Sequence, residues 1–193
     1  ALEIRERLAQ SNPQAYEPAL ALSYNNLASL YSDTQRFSES EAMYKQALEI
    51  RERLAQSNPQ AYEPDLAQSY NSLANLYSNT QRFSESEELY KLALEIYERL
   101  AQSNPQAYEP DLAMSYNNLA NLYSDTQRFS DSETMYKQAI EIRKRLAQSN
   151  PQAYSTDLAS LYYNIGNLYL FNDHLSESEE MFMASLDIYE NLT

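Results

Sequence analysis

One histidine and a set of recurring carboxylates are the side chains most able to do acid–base chemistry in this sequence. His174 stands beside Asp173 in a polar break between two helical patterns. A lone loop histidine of this kind reads as a surface residue rather than a base or a metal ligand. Glu39, Glu41, Glu85, Glu87 and Glu88 have the look of paired carboxylates, but they fall in the first turn of a helical pattern, where acidic side chains complement the helix dipole. There is no cysteine, which removes disulfides, thiolate nucleophiles and zinc–thiolate sites. A single glycine argues against a glycine-rich phosphate loop. The 18 tyrosines fall mainly at core and linker positions and read as packing. With no nucleophile–base pair and no metal-ligand spacing, the expectation is a protein with no cofactor, no metal and no catalytic role.

The remaining polar chemistry is that of the carboxamide. Asn25, Asn26, Asn71, Asn75, Asn117, Asn118, Asn121, Asn164 and Asn167 all lie on one kind of helical segment. Asparagine is a poor helix former, so its repeated use there needs a reason. Its side chain offers both donors and an acceptor, and so can bond a peptide backbone without reading side chains. The alternative is that these are solvated residues copied along with the repeat. For the aligned set Asn25, Asn71 and Asn117 the binding role is favoured.

Charge narrows the partners. The chain has 28 acidic and 14 basic residues, a net charge of −14. Such a surface repels phosphate backbones and anionic lipids, so neither nucleic acid nor membrane is an expected partner. No apolar run approaches membrane-spanning length and no signal peptide is visible. The lack of cysteine fits any redox compartment and assigns none; an intracellular setting is the working expectation.

The elements that must position these residues repeat. ALEIRERLAQSNPQAYEP begins at Ala1 and again at Ala47, a close variant begins at Ala93 and another at Ala139, so the period is 46 residues. A fixed period of this size marks a stacked array. Leu20, Tyr24, Leu27, Leu30 and Tyr31 recur at three- and four-residue steps and form one apolar stripe. Pro18 suits the first position of that helix. Met43, Tyr44, Ala47, Leu48, Ile50 and Leu54 mark a second helix that stops at Asn58-Pro59. Ser38 with Glu41 reads as a capping box at its start, repeated as Ser84/Glu87, Ser130/Glu133 and Ser176/Glu179. The prediction is a helix pair at about 18–33 and 39–56, repeated every 46 residues, so that the repeats cover about 18–56, 64–102, 110–148 and 156–192. Residues 1–10 are predicted to be the tail of a preceding second helix. The chain opens inside a repeat, so it is expected to be a fragment of a longer protein whose natural N-terminus lies upstream.

The spacing Tyr24-x2-Leu27-Ala28-x2-Tyr31, followed by Ser40-x3-Tyr44 and Ala47, resembles the tetratricopeptide repeat signature. The fourth unit gives Tyr162-x2-Ile165-Gly166-x2-Tyr169 and Ser178-x3-Phe182, with the one glycine where the family often has one. Tyr replaces the usual Trp, Ser40 replaces the usual Ala, and the period exceeds the common 34 residues. The long repeats, with their ALEI, NNLA and LY segments, look most like those of kinesin light chains. The resemblance implies an all-α fold, a right-handed solenoid of antiparallel helix pairs, whose first helices line a concave groove that holds partner peptides.

Candidate site residues follow from comparing the units on that implied groove face. Units 1 and 2 differ at eight of 46 positions, four of them Leu22/Gln68, Asn26/Ser72, Ser29/Asn75 and Asp33/Asn79. Their steps of four, three and four residues put them on one face of the first helix. Framework positions are copied while these drift, which is favoured as a sign of partner choice over simple lack of constraint. The candidate set is Leu22, Asn25, Ser29, Asp33, Gln68, Asn71, Asn75, Asn79, Met114, Asn117, Asn121, Asp125, Tyr163, Asn167 and Phe171. Basic residues that clamp a terminal carboxylate in chaperone-binding relatives are absent, so a C-terminal carboxylate is not the expected ligand. In the fourth unit Tyr163, Leu170 and Phe171 stand where unit 1 has Asn25, Ser32 and Asp33. They read either as a pocket for an apolar anchor or as an end that packs on residues beyond Thr193, the second being favoured. The expected partner is a protein or peptide, with end-to-end self-association at high concentration. The other readings are a structural spacer within a larger protein and a consensus-engineered scaffold.

Overall fold

The computed structural model describes residues 2–192; Ala1, the first residue of the expected 1–10 tail, and Thr193 lie outside the described residues. Among the described residues there are nine helices and no strand: α1 (Leu2–Ser11), α2 (Pro13–Asp33), α3 (Phe37–Ser57), α4 (Pro59–Asn79), α5 (Phe83–Ser103), α6 (Pro105–Asp125), α7 (Phe129–Ser149), α8 (Pro151–Phe171) and α9 (Leu175–Asn191). The chain forms two compact units, Ala1–Ile96 and Tyr97–Thr193, with the boundary inside α5.

The first helices start five residues earlier than their sequence pattern predicts. Pro13, not Pro18, is the first helical residue, and the Asn12 Oδ1 caps it by accepting the Ala15 N–H at 3.3 Å. Asn58, Asn104 and Asn150 repeat the bond to Ala61, Ala107 and Ala153. An Asn followed by Pro is a strong start signal because the side chain satisfies one orphan N–H and the ring has none to satisfy. Asn58 also closes the helix before it, its N–H donating to the Leu54 carbonyl at 2.9 Å. The linker SNPQAYEP is therefore a one-residue joint followed by helix, and Pro18, Pro64 and Pro110 are tolerated inside α2, α4 and α6.

The capping boxes predicted for α3, α7 and α9 do not form. Helix α3 begins at Phe37 with Arg36 as its N-cap residue and no side-chain cap bond. The reason lies in the turn before it. Gln35 adopts a left-handed φ of 60°, its N–H donates to the Ser32 carbonyl at 2.9 Å, and the Arg36 N–H donates to the Tyr31 carbonyl at 2.8 Å. That double bond pattern is the Schellman ending of α2. The contact between its ends is made by the Arg36 guanidinium lying 4.0 Å over the Tyr31 ring. Arg82 on Tyr77 and Arg128 on Tyr123 repeat it, and His174 stacks on Tyr169 with ring centroids 6.1 Å apart. Glu39, in the first turn, bonds Arg36 instead of a backbone N–H.

In unit 1, Leu20, Ala21 and Tyr24 of α2 pack with Ala47, Ile50 and Leu54 of α3 and Ala9 of α1. A second cluster joins Ala28 and Tyr44 to Leu73, Leu76 and Tyr77 of α4. In unit 2, Tyr136, Ala139 and Ile140 of α7 lie against Leu158, Leu161, Ile165 and Leu168 of α8, with Ala120 of α6. Each buried Leu or Ile contributes roughly 1.5–3 kcal/mol. Each cluster draws on three consecutive or neighbouring helices, so each pair is stabilised by the next.

Two kinds of polar bond pin the layers. Within a pair, the buried Ser40 hydroxyl donates to the Ala28 carbonyl at 2.8 Å, and Ser86, Ser132 and Ser178 do the same to Ala74, Ala120 and Gly166. Serine at this crossing is thus a hydrogen-bond donor and not merely a small residue. Between pairs, the tyrosines do more than pack. Tyr24 donates to Glu6 (2.7 Å), Tyr70 to Glu52 (3.0 Å) and Tyr77 to Glu41 (2.9 Å) in unit 1, and Tyr169 to Glu133 (2.8 Å) in unit 2. Burial, then the Glu6 carboxylate, pushes the Tyr24 phenol up to about 12.

Candidate functional site

The second helices take almost all the basic residues and the first helices the candidate positions. In unit 1, Leu22, Asn26, Ser29 and Asp33 are exposed along α2, and Gln68, Asn75 and Asn79 along α4. In unit 2, Met114, Asn121 and Asp125 are exposed along α6, and Tyr163 and Phe171 along α8. Phe171 is 76% exposed, at the place where the other repeats have Asp or Asn.

The aligned asparagines do not form the open row expected of them. Asn71 is only 3% exposed and lies inside the helix layer of unit 1. Asn25 is half-buried, and its Oδ1 is buried with no hydrogen-bond partner. Asn117 is half-buried too, and its Oδ1 accepts the Asn164 Nδ2–H at 3.1 Å, joining α6 to α8. The α8 residue that meets Asn117 is Asn164; its equivalent in α4 is Ser72, whose hydroxyl turns back to the Gln68 carbonyl at 2.9 Å.

Asn75 and Asn121, four residues further along, each accept a hydroxyl from the second helix, Tyr90 and Tyr136 respectively. Burial is the main cause that pushes the Tyr136 phenol up, with the Asp125 charge adding to it. In the fourth repeat Phe182 has no hydroxyl, and Asn167 turns its Nδ2–H to the Tyr163 carbonyl at 3.1 Å. Phe182 instead sits 5.6 Å from the Tyr163 ring.

A cavity of about 220 Å³ opens between α6 and α8. Met114 and Leu161 give it apolar walls, Asn117 and Asn164 an amide edge, and Arg143 of α7 reaches it together with Asp157. Arg143 is a residue that sequence reasoning passed over. Its guanidinium donates to the Pro110 carbonyl at 3.0 Å and pairs with Asp157 at 3.1 Å. Its counterpart in unit 1, Arg51, is also buried and donates to the Asp65 carbonyl and the Ser69 hydroxyl. The period was the available signal: arginine recurs at 5, 51 and 143, on the inward side of an otherwise charged helix.

His174 is exposed and serves as the N-cap residue of α9. Among the described residues no group of three or more His, Asp or Glu is placed to hold a metal ion, and no helix is long and apolar enough to cross a membrane.

The comparisons with known proteins agree with this geometry. One tetratricopeptide repeat family model matches residues 20–99 and 65–145, and a second matches residues 159–192. No curated protein sequence matches the chain. Among solved structures, BtubC (BKLC) from P. vanneervenii superposes with a TM-score of 0.76 at 29% identity, covering 100% of this chain and 70% of that one. A kinesin-light-chain-type protein of Podosopora anserina with nearly identical tetratricopeptide-like repeats gives a TM-score of 0.71 at 18% identity, covering 100% and 87%. MamA gives 0.64 at 14%, covering 98% and 87%. The fold is therefore an all-α solenoid of the kind found in kinesin-light-chain-type repeats, and the chain belongs to the tetratricopeptide repeat family.

Proposed function

We propose that this chain is a non-catalytic binding module that holds a segment of a partner protein on the exposed face of its first helices. One observation carries the reading. At a single exposed register the four repeats present Leu22, Gln68, Met114 and Ser160, four different chemistries, on a framework that is otherwise copied. Exposed second-helix positions such as Glu49/Glu95/Glu141 and Gln56/Gln102/Gln148 are unchanged over three periods and Gln46/Leu92/Gln138 changes at one, so the first-helix register, different in all four repeats, drifts further than these. Membership of a family of repeat scaffolds supports the same reading.

The test is a dodecapeptide library panned against the full chain, followed by titration of the selected peptides. Met114→Gly, which removes the thioether wall without adding charge, is expected to weaken them, while Glu141→Gln, on the far side of α7, leaves them unchanged. Selected peptides that bind Met114→Gly as tightly as the parent would sink the proposal.

Assembly is a second role, with its own observation. Leu186 is 49% exposed, whereas its counterparts Leu94 and Ile140 are buried, and Leu30 is 56% exposed where Leu76 is 3%. Apolar faces on near-identical units can stack head to tail. Sedimentation is expected to show larger species as concentration rises, and Leu186→Glu to remove them. A single monomeric species throughout the range excludes it.

A further inference from the structure

All 14 Lys and Arg residues lie on α1, α3, α5 and α7 or in the turns that precede second helices. Helices α2, α4, α6 and α8 contain none, and carry eight Asp or Glu. Glu17 and Glu109 are tied to Arg53 and Arg145 of second helices, while Asp33, Asp65, Asp125 and Asp157 are exposed, so the first helices offer a partner acids and no bases of their own. The arginines that do reach into this face are already engaged: Arg5 by Ala19 and Ser23, Arg51 by Asp65 and Ser69, Arg143 by Pro110 and Asp157.

The cavity between α6 and α8 concentrates that asymmetry. Its arginine side chain is 10% exposed while that of Asp157 is 52% exposed, so an incoming group meets the carboxylate first. Arg143 takes one oxygen of Asp157 and leaves the other as an acceptor. Asp111, whose carboxyl is raised by burial and drawn back by Arg143, adds a second acid to the same guanidinium. The exposed thioether of Met114 and the buried Leu161 side chain line the cavity, which suits an aliphatic stem. Beside it, the Asn164–Asn117 bond leaves the Asn117 NH2 as donor and the Asn164 oxygen as acceptor. That pair is complementary to the C=O and N–H of one peptide unit.

We propose that the segment received by the α6–α8 face is an extended basic polypeptide, with one Lys or Arg stem lying between Met114 and Leu161, its charge on Asp157, and the adjoining peptide unit on Asn117 and Asn164. This rests on the binding role proposed above and adds the chemistry of the partner. Unit 1 offers a different site at the same register. Gln68 stands in place of Ser160 and Ser72 in place of Asn164, so the cavity loses its small wall and its amide edge.

The experiment pans random dodecapeptides against the full 193-residue chain and titrates the selected peptides by calorimetry at low and high NaCl. Lys and Arg are expected to be enriched, and affinity to fall as salt screens the half-exposed carboxylate. Asp157→Asn is expected to weaken binding about tenfold, as loss of a bond to a charged group does. Ser160→Gln, which fills the cavity as Gln68 does and changes no charge, is expected to weaken it as well. It also guards against the case in which Asp157→Asn disturbs Arg143 and the fold, which circular dichroism reads directly. Selected peptides rich in Asp and Glu, or of no charge bias, that still lose affinity with Met114→Gly would overturn the basic-partner proposal and leave the binding face standing. Peptides indifferent to Met114→Gly, Asp157→Asn and Ser160→Gln alike would overturn both, as would a library from which nothing is selected.

Discussion

Glu41→Gln is the substitution that most directly tests how neighbouring helix pairs are held together. Glu41 was expected to close a capping box within its own helix. In the structure it accepts the Tyr77 hydroxyl at 2.9 Å and pairs with Arg82 and Lys45, each at 2.7 Å, so it ties α3 to α4 and to the turn after it. Burial opposes its charge, but bonds from Lys45, Arg82 and Tyr77 outweigh that and hold the carboxyl at about 2, against 4.5 for the free group. A shift of that size corresponds to a ceiling of roughly 3 kcal/mol. With the side chain 24% exposed, solvent screening brings the expectation to about 1.5 kcal/mol. Because the folded-state pKa is depressed, this stabilisation is complete above about pH 4.5 and is lost as pH falls through 2. The variant and the parent should therefore differ in urea midpoint at pH 7 and converge near pH 2. Repeat arrays need not unfold in one step, so amide exchange in α3 and α4 is the local readout to set beside the midpoint. Tyr77→Phe should couple to Glu41→Gln in a double-mutant cycle. Equal stability at pH 7, or a difference that persists unchanged at pH 2, would refute the reasoning.

The turns and the single glycine give further expectations. Gln81 sits at φ 61°, which costs a non-glycine residue about 1–2 kcal/mol, so Gln81→Gly should raise Tm slightly and Gln81→Val should lower it; a thermal scan that ranks Val above Gly would contradict this. A Cβ on Gly166 would lie 2.8 and 2.9 Å from the Phe182 ring, so Gly166→Ala should cost stability even though Ala is the better helix former by about 1 kcal/mol. Adding Phe182→Tyr, which restores the Ala–Tyr pair of the other three repeats and gives Asn167 a hydroxyl to accept, should recover part of the loss by urea titration. Ser132→Ala removes the 2.8 Å bond to the Ala120 carbonyl and should cost about 1 kcal/mol by the same measurement.

The repeat and its helix pairs were legible because both rest on periods: 46 residues for the unit, three and four for each apolar stripe. Helix ends were not, since they rest on single residues whose role depends on the backbone. Pro18 and Pro13 both fit a first helical position, and only the Asn12 cap decides between them. Ser38 and Glu41 have capping-box spacing, but the left-handed Gln35 sets the helix start one residue before Ser38. The Tyr–Glu bonds span 18 or 36 residues, separations at which no local pattern connects the partners. Asn71 illustrates the limit on the site. Helical phase put it among the candidate groove residues, yet it is only 3% exposed, and depth of burial is a matter of packing rather than of phase.

The fourth repeat shows why these contacts behave as a set. One departure there, Phe182, meets a matching departure, Gly166, in the residue it touches, and two others keep a contact with an unchanged tyrosine. Lys144 replaces the Glu52 and Glu98 of earlier periods, and Tyr162, deprived of a carboxylate acceptor, has the Lys144 ammonium 5.5 Å over its ring. His174 replaces Arg36, Arg82 and Arg128 and keeps the stack on the tyrosine that ends the first helix. Phe182 replaces tyrosine, Gly166 opposite it replaces alanine, and Asn167 turns from the missing hydroxyl to its own helix. On the first helices, Leu22, Gln68, Met114 and Ser160 are all exposed and differ from one repeat to the next, and this is the variation on which the proposed binding role rests.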